Sequence, residues 1–199
     1  MVFFWQIAGS GIRFENIVLE YGYVPYLVVA GGEYYRFLTS MFLHADWWHL
    51  AGNMLFLWVF GDNVEDICGH GLYLVFYVVT GIFASGLFTV FAFGSAIPAV
   101  GASGAISGVL GAYLVRFPHA RIRTAIFFGF FLRYTLVPAY VMIGLWFLFQ
   151  LFYGLVGAAT GIAYWAHIGG FLAGAAFING FARRQIRPHR EWDQWVASL

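Results

Sequence analysis

Gly101-Ala102-Ser103-Gly104-Ala105-Ile106-Ser107-Gly108-Val109-Leu110-Gly111 is an apolar, glycine-striped stretch with a hydroxyl at its head. Read as a helix, it carries Ser107, Gly108 and Gly111 near the face that holds Ser103. Small residues in such a row let a second membrane helix approach closely. A matching face lies near the other end of the chain, in Ala166-His167-Ile168-Gly169-Gly170, where Gly170 and Gly174 share the side of the helix that bears His167. A third polar group, His49 with Asn53 one turn on, heads another apolar run. Ionisable side chains are expensive in hydrocarbon and by default mark function. A serine, a histidine able to take its proton and an Asn/His donor pair are the parts of a serine hydrolase.

Composition places these parts in a membrane. The chain is 62% hydrophobic and 10% charged, with a mean hydropathy of +0.78. A soluble domain would carry roughly a quarter charged residues. The apolar content falls in blocks, Trp47 to Gly61, Leu72 to Phe93, Ala96 to Phe117, Thr135 to Val156 and Gly161 to Phe181. Most are near the ~20 residues that cross a bilayer as a helix. The fold class expected is therefore an all-α membrane bundle with five full spans. The single cysteine, Cys68, excludes an intramolecular disulfide and a Cys-based zinc site. A net charge of +1 gives no reason to expect nucleic acid.

Four regions follow. Residues 1–10 begin with an apolar stretch too short to span and without the charged start of a signal peptide, and are read as the remnant of a truncated first transmembrane helix. Residues 11–46, with Arg13, Glu15, Glu20, Glu33 and Arg36 among aromatics, form a long amphipathic loop suited to the interface. Residues 47–182 are the transmembrane core, and 183–199 a basic tail. Arg116, Arg121, Arg123 and Arg133 flank the connection between the third and fourth blocks, and Arg183, Arg184, Arg187 and Arg190 follow the last. Two spans separate these clusters, so both lie on one side. The positive-inside rule makes it the cytoplasm.

Depth brings the polar residues together. At ~1.5 Å per residue, Ser103 stands roughly 22 Å above Pro118, His167 roughly 24 Å above Arg183 and His49 about 20 Å above Asp62. In a core of ~30 Å, all three share one level in the outer half of the membrane. The chemistry fits that meeting. A serine hydroxyl is a weak nucleophile until a neighbouring base accepts its proton, and a histidine does so near neutral pH and then returns it to the leaving amine. No Asp or Glu lies in the span of His167, so a dyad is inferred rather than a triad. His49 and Asn53, on one helical face, can aim an imidazole and an amide N–H at an oxyanion. A helix starting near Ser103 would add its free backbone N–H groups and the positive end of its dipole.

These residues resemble a known family. His44-x4-His49-x3-Asn53, Gly101-Ala102-Ser103-Gly104 and Ala166-His167-Ile168-Gly169-Gly170 with Gly174, in that order, are similar to the rhomboid intramembrane serine proteases. Tyr35-Arg36, the run Phe60-Gly61 through Val64-Glu65, and Trp146-Phe147-Leu148-Phe149-Gln150 add to the likeness, which runs from about residue 30 to 182. The resemblance implies Ser103 as nucleophile, His167 as base, and His49 and Asn53 as oxyanion donors. It leaves His44, Arg36 and Glu65 structural and calls for no cofactor or metal. It also implies substrates that are membrane proteins with a single helix, entering laterally past the fifth span and an outer loop. Cleavage would fall near the helix's outer end, where small or helix-breaking residues let it unwind. The setting implied is a prokaryotic plasma membrane, with the site open to the extracytoplasmic side and the C-terminus in the cytoplasm. The chain departs from the family's six-span core in its first helix. It also has Ser107 where some relatives place a tyrosine that stacks on the catalytic histidine.

Other classes fit less well. A metalloprotease would need a pair such as His-Glu-x-x-His, which is absent, although His44, Asp46 and His49 stand close in sequence. A transporter of this length would show an inverted repeat, and none is evident. The better rival is a catalytically silent rhomboid-like protein that binds membrane clients. Its usual mark is loss of the serine or the histidine, and both are present.

Overall fold

The computed structural model describes residues 2–7, 11–129, 131–157 and 160–183. Four short helices, α1 (Val2–Ile7), α2 (Gly11–Tyr21), α3 (Pro25–Gly31) and α4 (Arg36–Thr39), lead through a 3-10 turn (Ser40–Phe42) into the bundle. The bundle consists of α5 (Trp47–Cys68), α6 (His70–Phe91), α7 (Ser103–Arg116), α8 (Ala139–Leu155) and α9 (Tyr164–Phe181). Between α7 and α8 stands an antiparallel hairpin, β1 (Arg121–Phe128) with β2 (Phe131–Pro138), in register from Arg121↔Pro138 to Phe128↔Phe131.

Helix α7 is the axis. Every residue from Ala105 to Tyr113 is buried, which on a helix means burial on all sides and not on one stripe. Helices α5, α6 and α9 surround it, and at its far end Phe60, Val64, Phe76, Tyr113, Ile143 and Ile178 join the main apolar core. The outer faces are apolar as well. Trp58 is 74% exposed and Leu148 60%, and Leu74, Val90, Phe152 and Leu172 are also exposed. Apolar surface on this scale in a monomer requires an apolar solvent, and the fold is that of an all-α membrane protein. Helix α6 has a mean hydropathy of 2.1 and alone among the described residues combines the length and apolar composition to cross a bilayer.

The glycine faces do what their spacing predicts. A Cβ added to Gly170 would run into the carbonyl oxygen of Gly104, one on Gly174 into that of Gly108, and one on Gly111 into that of Phe171. Helices α7 and α9 thus lie backbone to backbone, parallel and in step. On the other side, a Cβ on Gly169 would come 2.7 Å from Leu87 Cβ, and one on Gly104 2.7 Å from Ala84 Cβ, so α6 closes the trio.

Three local features differ from the sequence reading. Within the block Ala96 to Phe117 only Ser103–Arg116 is helical. Its first part is a loop, tied by paired Tyr23–Ala99 backbone hydrogen bonds of 2.8 Å and by Gly101 N–H to the Ser40 carbonyl at 2.9 Å. Residues 135–138 of the fourth block belong to β2, so α8 is 17 residues long. The first block continues as helix to Cys68.

The segment 11–46 is folded around Arg36, which is buried. Its guanidinium donates to the carbonyls of Leu19 at 2.8 Å and Gly22 at 2.7 Å and pairs with Glu33 at 2.5 Å. In α1 the Gln6 amide bonds both backbone groups of His44, at 2.9 and 3.1 Å. Residues 1 and 8–10 of the expected helix remnant, and the tail from residue 184 onward, lie outside the described residues.

Overpacking a close-packed interface typically costs about 1–3 kcal/mol. Gly174→Ala should therefore lower the melting temperature in detergent by several degrees. Gly180→Ala, whose Cβ would meet nothing within 4 Å, should leave it unchanged. Equal melting curves for the two variants would count against the backbone contact.

Candidate active site

Ser103 is the first residue of α7, and its amide belongs to the set that a helix start leaves without intrahelical acceptors. The His167 imidazole reaches it from the first turn of α9, with Nε2 2.8 Å from Ser103 Oγ. Its other nitrogen, Nδ1, is 2.8 Å from Oε1 of Gln150 on α8. The Trp146 ring, one turn earlier on α8, lies beside the imidazole with centroids 6.1 Å apart and planes at 33°. Ser107 is not placed to compete. It is buried, and its hydroxyl donates to the Ser103 carbonyl at 2.6 Å.

Helix α5 supplies the opposite wall. Asp46 caps it by accepting the His49 N–H at 2.8 Å, a contact that fixes where the first turn starts. The His49 Nδ1 accepts the Ala45 N–H at 3.3 Å. A neutral imidazole has one donor and one acceptor nitrogen, so the His49 proton sits on Nε2. That edge faces Gly101, where an added Cβ would stand 2.7 Å from Nε2. Gly101 has φ +125, a conformation that side-chain-bearing residues rarely adopt. Asn53, one turn after His49, is buried, and its Nδ2 has no hydrogen-bond partner among the described residues. An orphaned buried donor is costly and calls for an explanation. His49, Asn53, Ser103 and His167 all line one cavity of ≈ 600 Å³, whose apolar walls include Phe14, Trp48, Phe56, Pro98 and Trp146.

The four residues singled out in the sequence, Ser103, His167, His49 and Asn53, thus stand around one space. His44 does not share it. It packs edge-on against Phe3 and His49, and both ring nitrogens are buried and unpartnered among the described residues. Burial, aided by the neighbouring His49, pushes its pKa down to about 4, so the ring is neutral at physiological pH. The Asp46 carboxylate is exposed and is engaged at the helix cap. Gln150 is, in the sequence, only the end of the Trp146–Gln150 run of the resemblance, with no place at the site expected for it. The available signal was a lone amide in an otherwise apolar helix.

Comparison with known proteins agrees with this architecture. Residues 31–184 match the Rhomboid domain. The chain is 41% identical to the rhomboid protease GluP of Bacillus subtilis over 57% of its own length and 22% of that protein. It is 31% identical to the rhomboid protease AarA of Providencia stuartii over 95% of its own length and 70% of that protein. It is also 33% identical to the mitochondrial rhomboid protein 1 of Saccharomyces cerevisiae, over 70% of its own length and 40% of that one. The chain belongs to the rhomboid family and is an integral membrane protein. It spans about a fifth of the length of GluP and two fifths of that of the yeast relative.

Gly101→Ala combines a strained φ with a Cβ directed into His49. It should slow labelling of the protein by a fluorophosphonate probe by ~10²–10³, the scale of a lost hydrogen-bond donor at a reacting centre. Wild-type labelling by this variant would show that His49 and Gly101 are not held against each other.

Proposed function

We propose that the chain is an intramembrane serine endopeptidase that hydrolyses peptide bonds in or near transmembrane segments of membrane-protein substrates. The observation that carries this reading is the 2.8 Å contact between His167 Nε2 and Ser103 Oγ at the head of a buried helix. Ser103 Oγ attacks the scissile carbonyl carbon as its proton passes to His167 Nε2. The oxyanion so formed accepts hydrogen bonds from Asn53 Nδ2, His49 Nε2–H and the Ser103 backbone N–H. His167 then hands its proton to the leaving nitrogen, the C–N bond breaks, and water hydrolyses the acyl-enzyme by the same relay. The unpartnered Asn53 amide supports its assignment, since the substrate oxygen supplies the acceptor it lacks.

The substrate must present an extended strand. A helix buries its carbonyls in its own hydrogen bonds, so a client segment has to unwind before attack. Sites near a helix end with small or helix-breaking residues meet that need. Orientation follows from the distribution of charge. Ser103, His167 and His49 lie toward the N-terminal ends of α7, α9 and α5, whereas Arg116 and the hairpin arginines lie at the other end of α7. Arg183 joins that end through its N–H to the Ile67 carbonyl of α5 at 2.8 Å. The basic end is assigned to the cytoplasm and the site to the outer side.

A client-binding protein without activity is the second reading, and it gives no reason for the Ser103–His167 hydrogen bond. The deciding experiment is incubation of purified protein, reconstituted in liposomes, with a single-span substrate. Ser103→Ala and His167→Ala should each abolish cleavage with the melting temperature unchanged. Asn53→Ala should lower turnover by ~10²–10³, as loss of one oxyanion donor does. Cleavage that survives in Ser103→Ala would sink the proposal.

A further inference from the structure

We infer that Gln150 is the positioning residue of the base, holding His167 in the tautomer with its proton on Nδ1. The inference rests on the reading of Ser103 and His167 as nucleophile and base. A neutral imidazole carries one N–H and one lone pair, and only the lone pair can accept a serine proton. Which nitrogen holds the proton is set by what the other side of the ring meets. Here Nδ1 meets Oε1 of Gln150 at 2.8 Å. A carbonyl oxygen only accepts, so Nδ1 is the donor, and the lone pair stands on Nε2, 2.8 Å from Ser103 Oγ. The reversed amide would donate to Nδ1, put the proton on Nε2 and leave Ser103 without an acceptor. The bond therefore selects between an active and an inactive ring.

Among the described residues, no other group near the ring takes this part. Helices α6, α7, α8 and α9 contain no Asp or Glu. The other titratable ring lining the cavity is His49 of α5, and the Asp46 carboxylate accepts the His49 backbone N–H. Ser107 donates to the Ser103 carbonyl. Gln150 is buried on the inner face of α8, one turn beyond Trp146, whose ring flanks the imidazole. An amide and a flat apolar ring on successive turns thus fix both the tautomer and the plane of the histidine.

Gln150→Met keeps the length and burial of the side chain and removes the acceptor. It should lower kcat about 10- to 100-fold with KM nearly unchanged and the melting temperature preserved, since the bond acts on the reacting geometry and not on substrate binding. Gln150→Glu restores an acceptor. It should recover activity at alkaline pH while its acid limb moves to higher pH, because a carboxylate favours the imidazolium, which cannot accept a proton from Ser103. A merely structural role would move neither the kcat/KM split nor the pH profile. Nitrogen-15 NMR of histidine-labelled wild-type protein, with His167→Ala to assign the signal, reads the tautomer without any need for activity and covers the case in which a variant fails to fold. Wild-type kcat in Gln150→Met, or a His167 proton on Nε2, would overturn the inference. An Nδ1–H signal in a wild-type protein that cleaves nothing would bear out the contact and count against the protease reading instead.

Discussion

The approach of α7 and α9 at their glycines is the constraint on which the rest of the molecule depends. Gly104 faces Gly170 and Gly108 faces Gly174, so the two helices keep step over more than a turn with no side chain between them. Apolar burial gives little reason for helices to associate within lipid, and packing of this kind takes its place. The contact also fixes rotation, since turning either helix about its axis would drive a neighbouring side chain into a carbonyl. Ser103 precedes the first of these glycines by one residue and His167 precedes Gly170 by three. The 2.8 Å hydrogen bond between them is thus the upper end of a backbone contact set by small residues. Gly169, turned toward α6, extends the same logic to a third helix.

Had α7 begun at the membrane surface, its first amides would be left to water. Here α7 starts inside the bundle because residues 92–102 form a loop and not an additional helical turn. That loop needs support from outside the core, and the segment 11–46 supplies it. The backbone of Tyr23 pairs with Ala99, and the Ser40 carbonyl holds Gly101. Arg36, gathering the carbonyls of Leu19 and Gly22 and the Glu33 carboxylate, keeps that segment in shape. Each such bond contributes only about 0.5–1.5 kcal/mol net. Their combined role is to hold the head of α7 where its free amides face the cavity.

Features that depend on side-chain type and spacing are legible in the sequence. The small-residue faces, the shared depth of His49, Ser103 and His167, and the apolar blocks all follow from periodicity and composition. What is not legible depends on backbone turns and on partners distant in the chain. Pro98 and Gly101 are local signs that the outer part of the block Ala96 to Phe117 leaves the helix, but the apolar run around them hides where α7 begins. The course of the loop shows only in the hydrogen bonds to Tyr23 and Ser40. The hairpin is hidden in the sequence because its arginines read as topological signals. Yet Ile122, Thr124 and Ile126 alternate with more exposed neighbours, and Gly129, at φ +58, follows the strand. The Gln150 bond spans 17 residues and two helices, a separation that no local pattern records.

On the proposed reading of His167 as base, an amide at Gln150 suits a membrane bundle better than the carboxylate of a soluble triad. Against a neutral imidazole an ionised carboxylate would be a buried charge without a counter-ion, at a cost of several kcal/mol. The amide orients the ring without that penalty. Its disadvantage is that it offers no negative charge to the imidazolium formed during attack. On the proposed mechanism, though, the imidazolium and the oxyanion arise together from neutral reactants, so the site has to stabilise a separated pair and not a net charge. Dipoles suffice for that. Gln150 Oε1 faces the positive partner, and the Asn53 amide, the His49 N–H and the start of α7 face the negative one. Because Gln150 and Trp146 stand on α8 while Ser103 and His49 stand on α7 and α5, the alignment of the base depends on where α8 lies.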